Sequence, residues 1–382
     1  MALRTRTLDG IDQVAAADWD ALGDADDPFT RHAYLLALEA TGSAHPERGW
    51  VPAHLAAFDG DTLVGAVPRY LKQDSWGEFV FDFAWAEAAE SIGLPWYPKA
   101  VAAVPFTPVA GPRLLSRDEA ARTALATALA TSTDEAGLSS THVLFCGDRD
   151  SRALQAAGGL VRHGLRLEWR DRGCGDFDGY LDTLRSRRRK EVRRERRRVA
   201  ECGVAFRCVN GTEVSPETWP LIHALYASTY ARRGQDPYLQ PGFWPAVAAA
   251  PGAPLRVVLG ERGAELVCCA LYLVGRDTVY GRHWGSREDG AGLHFEACYY
   301  QGIELCLREG CSRYDAGVQG WQKLHRGFEP VIQSSVHFIT DARLRAAIAP
   351  WLATERRHVA GQCLAAQQHT ACLLYTSPSP RD

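Results

Sequence analysis

Residues 184–198 read L-R-S-R-R-R-K-E-V-R-R-E-R-R-R, and the rest of the chain is organised around this run. From Arg185 to Arg198, ten of the fourteen residues are Arg or Lys and two are Glu, so the stretch carries a formal charge of +8. The whole chain has a net charge of −3, so the remainder carries −11. A basic segment of this density inside an acidic protein faces a polyanion, an acidic surface or solvent.

The run has the apolar periodicity of a helix rather than the composition of a disordered tail. At about 100° per residue, its apolar residues fall within one stripe roughly 80° wide. These residues are Leu181, Leu184, Val192 and Val199. Of the ten basic residues, only Arg188 projects into that stripe. The pattern predicts an amphipathic helix over residues 178–200 with its cationic faces outward. A helix whose charges are simply solvated is the alternative.

The order of elements restarts after this helix. Upstream, the patterns predict helices at 29–41, 84–92, 117–136 and 151–157, strands at 51–58, 62–71, 141–146 and 161–169, and strands broken by prolines over 99–115. Downstream, they predict strands at 203–208, 255–260, 264–273, 277–285, 312–316 and 332–340, and helices at 217–232, 240–249, 292–309, 321–326 and from 341. Both halves combine a mixed sheet with flanking helices, which predicts an α/β fold (α+β mixed sheet) in two domains, 1–176 and 177–371. The order of elements in the second half resembles the order expected of a GNAT-type acyltransferase.

Composition narrows the class of protein. The chain is 46% hydrophobic and 10% aromatic, which is enough for two packed cores. No segment reaches about 18 uninterrupted apolar residues, and the N-terminus lacks the apolar region of a signal peptide, so we expect a soluble, cytoplasmic protein without a membrane span. The cysteines form no C-x-x-C pair, so we expect reduced structural thiols and no metal.

The last eleven residues, 372–382, read C-L-L-Y-T-S-P-S-P-R-D. They back-translate readily to the adapter of a sequencing library, so we set them aside as read-through. We expect the natural chain to end at or shortly beyond Ala371.

Several segments along the chain resemble one family in order. They are S-W-G-E-F-V-F-D-F-A-W-A (75–86), P-W-Y-P-K (95–99), V-P-F-T-P-V-A-G-P-R-L-L (104–115), L-R-S-R-R-R-K-E-V-R-R-E (184–195), Y-G-R-H-W-G (280–285), H-F-E-A-C-Y-Y-Q-G-I-E (294–304) and G-V-Q-G-W-Q-K-L-H-R-G-F-E-P (317–330). Together they resemble the FemAB-like, peptidoglycan biosynthesis/recognition family of bacterial tandem-GNAT proteins. The resemblance implies transfer of an acyl or aminoacyl group onto an amine in peptidoglycan precursor metabolism. It also implies acyl-CoA or aminoacyl-tRNA as co-substrate.

His294 and Glu296 are the candidate catalytic residues. They are two apart on a predicted helix, so they cannot chelate one metal from that helix. His294 could act as a general base or bind substrate, and a hydrogen-bonded structural histidine is the alternative. Glu296 shares a helical face with Tyr300 and Ile303, so we expect it to point toward the sheet. There it would take a proton from an amine, or else form a structural salt bridge.

The loop 285–293 precedes this helix, where GNAT enzymes hold a pyrophosphate. Gly290 and Gly292 suit anion binding at a helix N-terminus. Glu288 and Asp289 oppose it, which leaves room for an acyl donor other than acetyl-CoA. A second predicted anion-binding set lies on the outward face of the basic helix: Arg187, Lys190, Arg194 and Arg197.

Further candidate substrate-binding residues lie at three places. Lys323 and Arg326 are three apart after a strand end and can converge on one anion, or form a basic helix cap. Gln319 precedes them. Arg282 and Trp284 share one strand face and could line a substrate channel, or Trp284 could belong to the core. Tyr300, on the predicted helix, is a further candidate. In the first half, a polar-aromatic set predicts a binding wall, made by Trp76, Glu78, Asp82, Tyr97 and Lys99.

Two hypotheses follow from these patterns. The first is an acyltransferase in which an amine attacks an activated carbonyl while the basic helix holds an anionic donor or acceptor, with tRNA or a peptidoglycan precursor as partner. The second is a non-catalytic protein on a GNAT scaffold that binds peptidoglycan precursor or RNA. No helix-turn-helix, zinc-finger or RNP pattern accompanies the basic run, which disfavours a dedicated nucleic-acid-binding domain.

Overall fold

The computed structural model describes residues 3–23, 27–288, 290, 292–317 and 320–370. The chain forms two compact units. The first unit holds the chain up to Gly164 together with Tyr238–Phe243 and Ile332–Ala360. The second unit holds Leu165–Pro237, Trp244–Val331 and the chain from Gly361 onward.

The first unit has two sheets with helices beside them. Its helices are α1 (Ala16–Asp20), α2 (His32–Ala40), α3 (Phe83–Ser91), α4 (Glu119–Glu135) and α5 (Asp148–Ala156). Its strands are β1 (Arg4–Leu8), β2 (Val51–Pro52), β3 (His54–Asp59), β4 (Thr62–Val67), β5 (Arg69–Lys72), β6 (Lys99–Ala102), β7 (Leu115–Ser116) and β8 (Ser140–Cys146). One sheet is antiparallel in the order β1-β3-β4-β7, and the other runs β8-β6-β5-β2, with only β6 and β8 parallel.

The second unit is built on one mixed sheet. Strand β9 (Leu160–Arg170) crosses from the first unit into the second, and the helices that follow are α6 (Phe177–Thr183), α7 (Ser186–Glu201), α8 (Thr218–Ala231) and α9 (Phe243–Ala249). The strands are β10 (Ala205–Asn210), β11 (Leu255–Arg262), β12 (Glu265–Val274), β13 (Thr278–Ser286) and β14 (Arg313–Asp315). They are ordered β10-β11-β12-β13-β14-β9, antiparallel except for the β13–β14 pair.

A long helix, α10, lies between β13 and β14 in sequence. It consists of Leu293–Phe295, a π-helical turn Glu296–Tyr300, and Gln301–Arg308. A 3-10 helix follows β14 at Trp321–Arg326. The described chain closes with β15 (Glu329–Ile339) and α11 (Ala342–Gln368). Nearly every predicted element is present within a few residues of its predicted bounds.

The two units depart from the continuous domains 1–176 and 177–371. The cause is β15, whose residues from Ser334 to Ile339 pair antiparallel with β8, from Cys146 to Ser140. The chain therefore returns to the first unit after completing most of the second. The first part of α11 returns with it.

The segment predicted as a single helix over 178–200 forms two helices, and the basic run lies on the second, α7. Leu184, with φ −89° and ψ 147°, is extended, and it separates α6 from α7. The predicted apolar stripe is nevertheless confirmed, because Leu181, Leu184, Val192 and Val199 are each at most 3% exposed. The apolar period continues across the break because Leu184 is buried although its backbone is extended.

Among the described residues, the ten cysteines from Cys146 to Cys363 are free thiols. The same part of the chain contains no cluster of three or more His, Cys, Asp or Glu able to hold a metal ion. None of its helices is both long and apolar enough to cross a membrane.

Candidate functional site

The site in the second unit begins where β13 and β14 separate. The two strands pair in parallel only from Thr278 to Tyr280 and from Arg313 to Asp315. Beyond that point β14 ends, while β13 continues along β12 to Ser286. The register between β12 and β13 also shifts here, which leaves Arg282 as an extra residue in β13. A bulge of this kind redirects a side chain and is frequent beside active sites.

The π-helical turn of α10 lies against this sheet. A widened turn takes carbonyl groups out of the regular helical ladder, so they need other donors. Two buried tyrosines supply them: the Tyr272 hydroxyl donates to the Ala297 carbonyl, and the Tyr314 hydroxyl donates to the Cys298 carbonyl. Gly302 makes room for Tyr314, since a Cβ at that position would lie 2.3 Å from its Cζ. The π-helical turn is thus built into the fold.

His294 stands at the start of α10, half-buried among aromatic rings. Its ring centroid lies 4.8 Å from that of Trp284 and 5.2 Å from that of Tyr299. Burial lowers the pKa of the imidazole to about 4, and the positive charges of Lys323 and Arg326 act in the same direction. Neither ring nitrogen has a hydrogen bond to the described part of the chain. At neutral pH His294 is therefore an uncharged imidazole with a nitrogen available to accept a proton.

Lys323 is the cation of this site whose burial and lowered pKa most resemble those of a catalytic group. It is 1% exposed, and its Nζ donates to the Gly317 carbonyl at 2.6 Å. Burial lowers the pKa of the ammonium to about 8, against the opposing charge of Asp315. The charge of Arg282 lowers the same pKa. His294 and Lys323 are thus linked by the effect of the Lys323 charge on the imidazole, and the Trp284 ring lies beside that imidazole.

Two charged residues of this site were missed from the sequence. Asp315, at the end of β14, accepts from the Gly317 backbone N–H at 2.8 Å and from Arg166 at 3.3 Å. Arg166 also pairs with Glu168 at 2.6 Å. A charged residue ending a buried strand is the signal that could have identified Asp315, because strand ends beside loops commonly carry ligand-contacting groups.

Arg326 does not converge with Lys323 on an anion as predicted. Its Nη2 donates to both oxygens of Glu195 on α7, at 2.8 and 2.9 Å, and its Nε donates to the Tyr300 hydroxyl at 3.0 Å. Tyr300 in turn donates to Glu195. The guanidinium also lies 3.8 Å from the centroid of the Phe295 ring. The N–H groups of Arg326 thus donate to groups of the protein itself, and these contacts hold α7 in place.

Glu296 faces α7 rather than the sheet, so the predicted direction is wrong. Arg196 binds its two carboxylate oxygens at 3.0 and 3.1 Å, and Gln301 donates to it at 2.9 Å. Arg196 also binds Glu304 at 2.6 Å. Burial raises the pKa of Glu296, and the charge of Arg196 opposes that shift. This geometry matches the structural salt bridge that the sequence left open. Tyr300, on the same predicted face, also contacts α7 through Glu195, so this face of the helix meets α7.

The outward face of α7 carries the four predicted anion-binding residues. Arg187, Lys190, Arg194 and Arg197 are all exposed, and none has a carboxylate within 4.0 Å among the residues the structure describes. Arg187, Lys190 and Arg194 also line an open pocket of about 710 Å³. An exposed row of unpaired cations attracts a polyanion.

The predicted pyrophosphate loop is only partly described. Gly290 and Gly292 have φ angles of 105° and 83°, and Gly292 is the N-cap of α10. Asp289, Ala291 and Gln319 lie outside the described residues. Glu288, expected to repel an anion, is paired with Arg262 at 2.7 Å, which offsets its charge.

The predicted wall in the first unit is mostly an internal network. Lys99 is fully buried, and its Nζ donates to Ser75, Glu78 and Asp82 at 2.8, 2.9 and 2.7 Å. Trp76, in contrast, is 55% exposed. Glu78, Asp82 and Lys99 are buried and Tyr97 is partly exposed, so Trp76 is the member of this set with a largely exposed side chain.

Comparison with known proteins places the fold. A family model named FemAB-like and described as peptidoglycan biosynthesis/recognition matches residues 10–372. No curated protein sequence matches the chain. Among solved structures, the chain is similar to the C-terminal domain of a provisionally named lysylphosphatidylglycerol synthetase from Agrobacterium fabrum, with 12% identity and a TM-score of 0.53. That alignment covers 88% of this chain and 94% of that one.

Two further structures give the same result. FemX aligns with 11% identity and a TM-score of 0.50, covering 91% of this chain and all of that one. L-PGS from Bacillus licheniformis aligns with 11% identity and a TM-score of 0.50, covering 86% of this chain and 98% of that one. At these identities the likeness concerns the fold, which is an α/β mixed-sheet arrangement of two GNAT-like domains in tandem, as predicted.

Proposed function

The chain belongs to the FemAB-like family, and from this premise we propose that it is an acyltransferase that moves an acyl or aminoacyl group onto an amine. The observation that carries the proposal is the uncharged His294, packed against Trp284 and Tyr299, whose pKa the charge of the buried Lys323 lowers. A neutral base next to a cation is what attack of an amine on a carbonyl requires. The family description favours a peptidoglycan precursor as the acceptor.

In the proposed reaction, the amine nitrogen attacks the carbonyl carbon of the activated acyl group. The new C–N bond forms, and the bond from that carbon to the leaving oxygen or sulfur breaks. His294 accepts the proton that the amine loses and returns it to the leaving group. The Lys323 ammonium stabilises the negative charge on the carbonyl oxygen, because in a buried site a fixed charge acts more strongly than in water.

The pKa values of these two groups depend on each other. With Lys323 and Arg326 both positive, the His294 pKa is about 4, which makes it a weak base. An anionic donor bound near these cations would offset their charge and raise that pKa toward its ordinary value. His294 would then be a stronger base with donor bound than without it.

The exposed cations of α7 indicate a donor with several negative charges. From Arg187 to Arg197 the helix rises about 15 Å, at about 1.5 Å per residue. Four side chains spread over this length suit several successive phosphates better than a single pyrophosphate. Aminoacyl-tRNA is therefore our preferred donor, and acyl-CoA is the second candidate.

The test is binding of aminoacyl-tRNA and of acetyl-CoA to wild type and to two quadruple variants. The first variant replaces the α7 face: R187Q, K190Q, R194Q and R197Q. The matched control removes the same charge from exposed arginines of the first unit: R4Q, R117Q, R149Q and R152Q. Because the α7 side chains lie off the apolar stripe, we expect both variants to fold normally and only the first to lose affinity for tRNA.

The salt dependence gives the magnitude. Four phosphate contacts give a slope of log affinity against log salt of about −3, so raising salt from 50 to 200 mM should weaken wild type roughly 50- to 150-fold more than the α7 variant. Equal loss in the two variants would remove α7 from the donor site. Saturable binding of acetyl-CoA with little salt dependence would replace tRNA by acyl-CoA.

The rival hypothesis is a GNAT scaffold that binds without turnover. Variants H294Q and K323M separate the two hypotheses in a transfer assay with a primary amine acceptor. Loss of transfer with donor binding retained supports catalysis. Binding by wild type without any transfer supports the scaffold, and absence of binding to either donor at low salt would overturn the transferase.

A further inference from the structure

Lys323 is a buried ammonium whose donors are only partly used. The residue is 1% exposed, and its Nζ donates to the Gly317 carbonyl at 2.6 Å. Among the described residues, that carbonyl is the one hydrogen-bond partner of this nitrogen, and no carboxylate lies within 4.0 Å of it. An ammonium group has three donors, so two N–H groups remain for a ligand. A buried charge without a directly bound counter-ion is costly, and it is typical of groups that act on a substrate.

Asp315 binds the same glycine from its other side. The Oδ1 of Asp315 accepts the Gly317 N–H at 2.8 Å, so one glycine holds a carboxylate on its N–H and an ammonium on its carbonyl. The bond lengths within one residue keep the Asp315 oxygen and the Lys323 nitrogen within about 9 Å of each other. Gly317 has a φ of 80°, in the left-handed region that glycine adopts readily. This turn therefore fixes the two charged groups relative to each other.

Arg166 binds the second oxygen of Asp315. Its Nη1 donates to Oδ2 at 3.3 Å and lies 2.6 Å from Oε2 of Glu168. Glu168 and Asp315 are direct partners across the β9–β14 pair, and each is at most 3% exposed. Arg170 donates to the other oxygen of Glu168 at 2.9 Å. Both oxygens of Asp315 are therefore occupied by groups other than the ammonium of Lys323.

This arrangement meets two opposite demands on Lys323. A carboxylate in direct contact would take the remaining N–H groups, whereas the absence of any negative charge would favour loss of the proton. Burial lowers the pKa of the ammonium to about 8, and the charge of Asp315 opposes that fall. The Cys298 thiol also raises this pKa, and Arg282 lowers it. His294 is uncharged at neutral pH, where most of the Lys323 side chains keep their proton.

We propose that Asp315 and Arg166 are positioning residues for Lys323. Asp315 fixes the turn at Gly317 and supplies the negative charge that keeps the buried amine protonated. Arg166 holds the carboxylate of Asp315 away from the ammonium, so that two N–H groups are left for the carbonyl oxygen of the acyl donor. This inference rests on the proposed transfer reaction and assigns the residues that maintain the charge of its oxyanion-stabilising group. Both residues act through Lys323 rather than on the substrate.

The small number of lysines allows a direct measurement. The chain has four, which are Lys72, Lys99, Lys190 and Lys323. Protein labelled with ¹³C at the lysine Cε gives one NMR signal for each, and K323M identifies the signal of Lys323 by its loss. Titration from about pH 6 to about pH 10 then gives the midpoint of this ammonium. In wild type we expect a midpoint near pH 8.

Two substitutions should move this midpoint in opposite directions. D315N keeps the shape and an oxygen for the Gly317 N–H but removes the charge, so the midpoint should fall by about one pH unit. R166M frees the Asp315 carboxylate to bind the ammonium, so the midpoint should rise by about one pH unit. R166K should restore it, because a single nitrogen makes both contacts of Arg166. R170Q is the matched control and should leave the midpoint unchanged, since Arg170 binds Glu168 with a side chain that is 50% exposed.

The rate of transfer provides a second readout. With a primary amine acceptor, the loss of activity in D315N should be about fivefold greater at pH 8 than at pH 6, because a midpoint one pH unit lower leaves that much less protonated Lys323 at the higher pH. A residue with a merely structural role would lower the rate by the same factor at both pH values. R166M should lower kcat at both, and R166K should recover most of it.

Three results would overturn the proposal. They are a Lys323 midpoint that D315N and R166M leave unchanged, an equal shift in R170Q, and a loss of transfer in D315N that does not depend on pH. If R166M fails to fold, D315N decides, since the asparagine side chain has the same shape. The titration needs no turnover. Absence of transfer in wild type, with the midpoints shifted as expected, would therefore reject the transferase and leave Asp315 and Arg166 as the groups that control the charge of Lys323.

Discussion

The ion pair between Glu195 and Arg326 should carry much of the attachment of α7. Replacing Glu195 by Gln leaves the guanidinium of Arg326, whose side chain is 3% exposed, without a carboxylate. Breaking a buried pair by removing one partner costs about 3–5 kcal/mol. Glu195 is 14% exposed and Tyr300 still accepts from Arg326, so we expect the lower end, about 3 kcal/mol. For a body of about 150–250 residues this lowers Tm by roughly 6–12 °C.

The matched control is Glu191→Gln on the same helix, four residues earlier. Glu191 pairs with Arg188 at 2.7 Å, but both side chains are at least 25% exposed. An i,i+3 pair of this kind contributes about 0.3–0.5 kcal/mol, so Tm should move by about 2 °C or less. Both variants are compared by thermal and urea unfolding. Equal shifts, or a shift below about 2 °C for Glu195→Gln, would refute a structural role for the pair. Adding Arg326→Met to Glu195→Gln should recover part of the loss, because the buried charge is then removed.

Two other predictions concern stability. Gly302→Ala should lower the free energy of unfolding by about 1–3 kcal/mol, since its methyl group overlaps Tyr314, whereas Gly361→Ala, where a Cβ meets nothing within 4 Å, should be neutral or slightly stabilising. The free energy of unfolding should also fall as pH drops from about 6.5. Burial lowers the pKa values of His283 and His294 to about 3 and 4. As pH falls, these imidazoles therefore bind protons in the unfolded chain that they do not bind in the folded chain. Urea unfolding between pH 7.5 and 5 measures this slope, and H294N should reduce it; an unchanged slope would contradict the assignment of a neutral His294.

Regular elements were predictable because their periodicity is local. The meander β11–β13 and helix α8 appear within two or three residues of their predicted bounds. The break at Leu184 was not predictable, since a buried leucine satisfies the apolar pattern in a helix and in an extended segment alike. The return of β15 to the first unit was also hidden. Pairing with β8 depends on contacts nearly two hundred residues apart, which no local pattern records.

The candidate site was predictable in its residue types but not in its partners. His294 and Lys323 were identified from the sequence, and the charge of Lys323 lowers the pKa of His294. Glu296 was expected to face the sheet, but it pairs with Arg196 of α7. The role of Arg326 was not predictable because its partner, Glu195, is 131 residues away along the chain. Helical spacing predicts which residues share a face, not which face meets another element.

Ion pairs within the protein limit how many charges of the basic run a ligand can bind. Four of its ten basic residues are paired with carboxylates, through Arg188, Arg189, Arg193 and Arg196. Three of these pairs join α7 to α6 or α10, the Arg188 pair lies within α7, and none of the four charges is available to a ligand unless its ion pair breaks. If all ten bound phosphates, raising salt from 50 to 200 mM would cost roughly 10⁴-fold or more in affinity, against about 10²-fold for the four outward residues. A measured slope near −3 therefore assigns the ligand to the outward face alone. A slope near −7 or steeper would mean that the ligand displaces Glu296 and its neighbours, and that α7 is released from the site when donor binds.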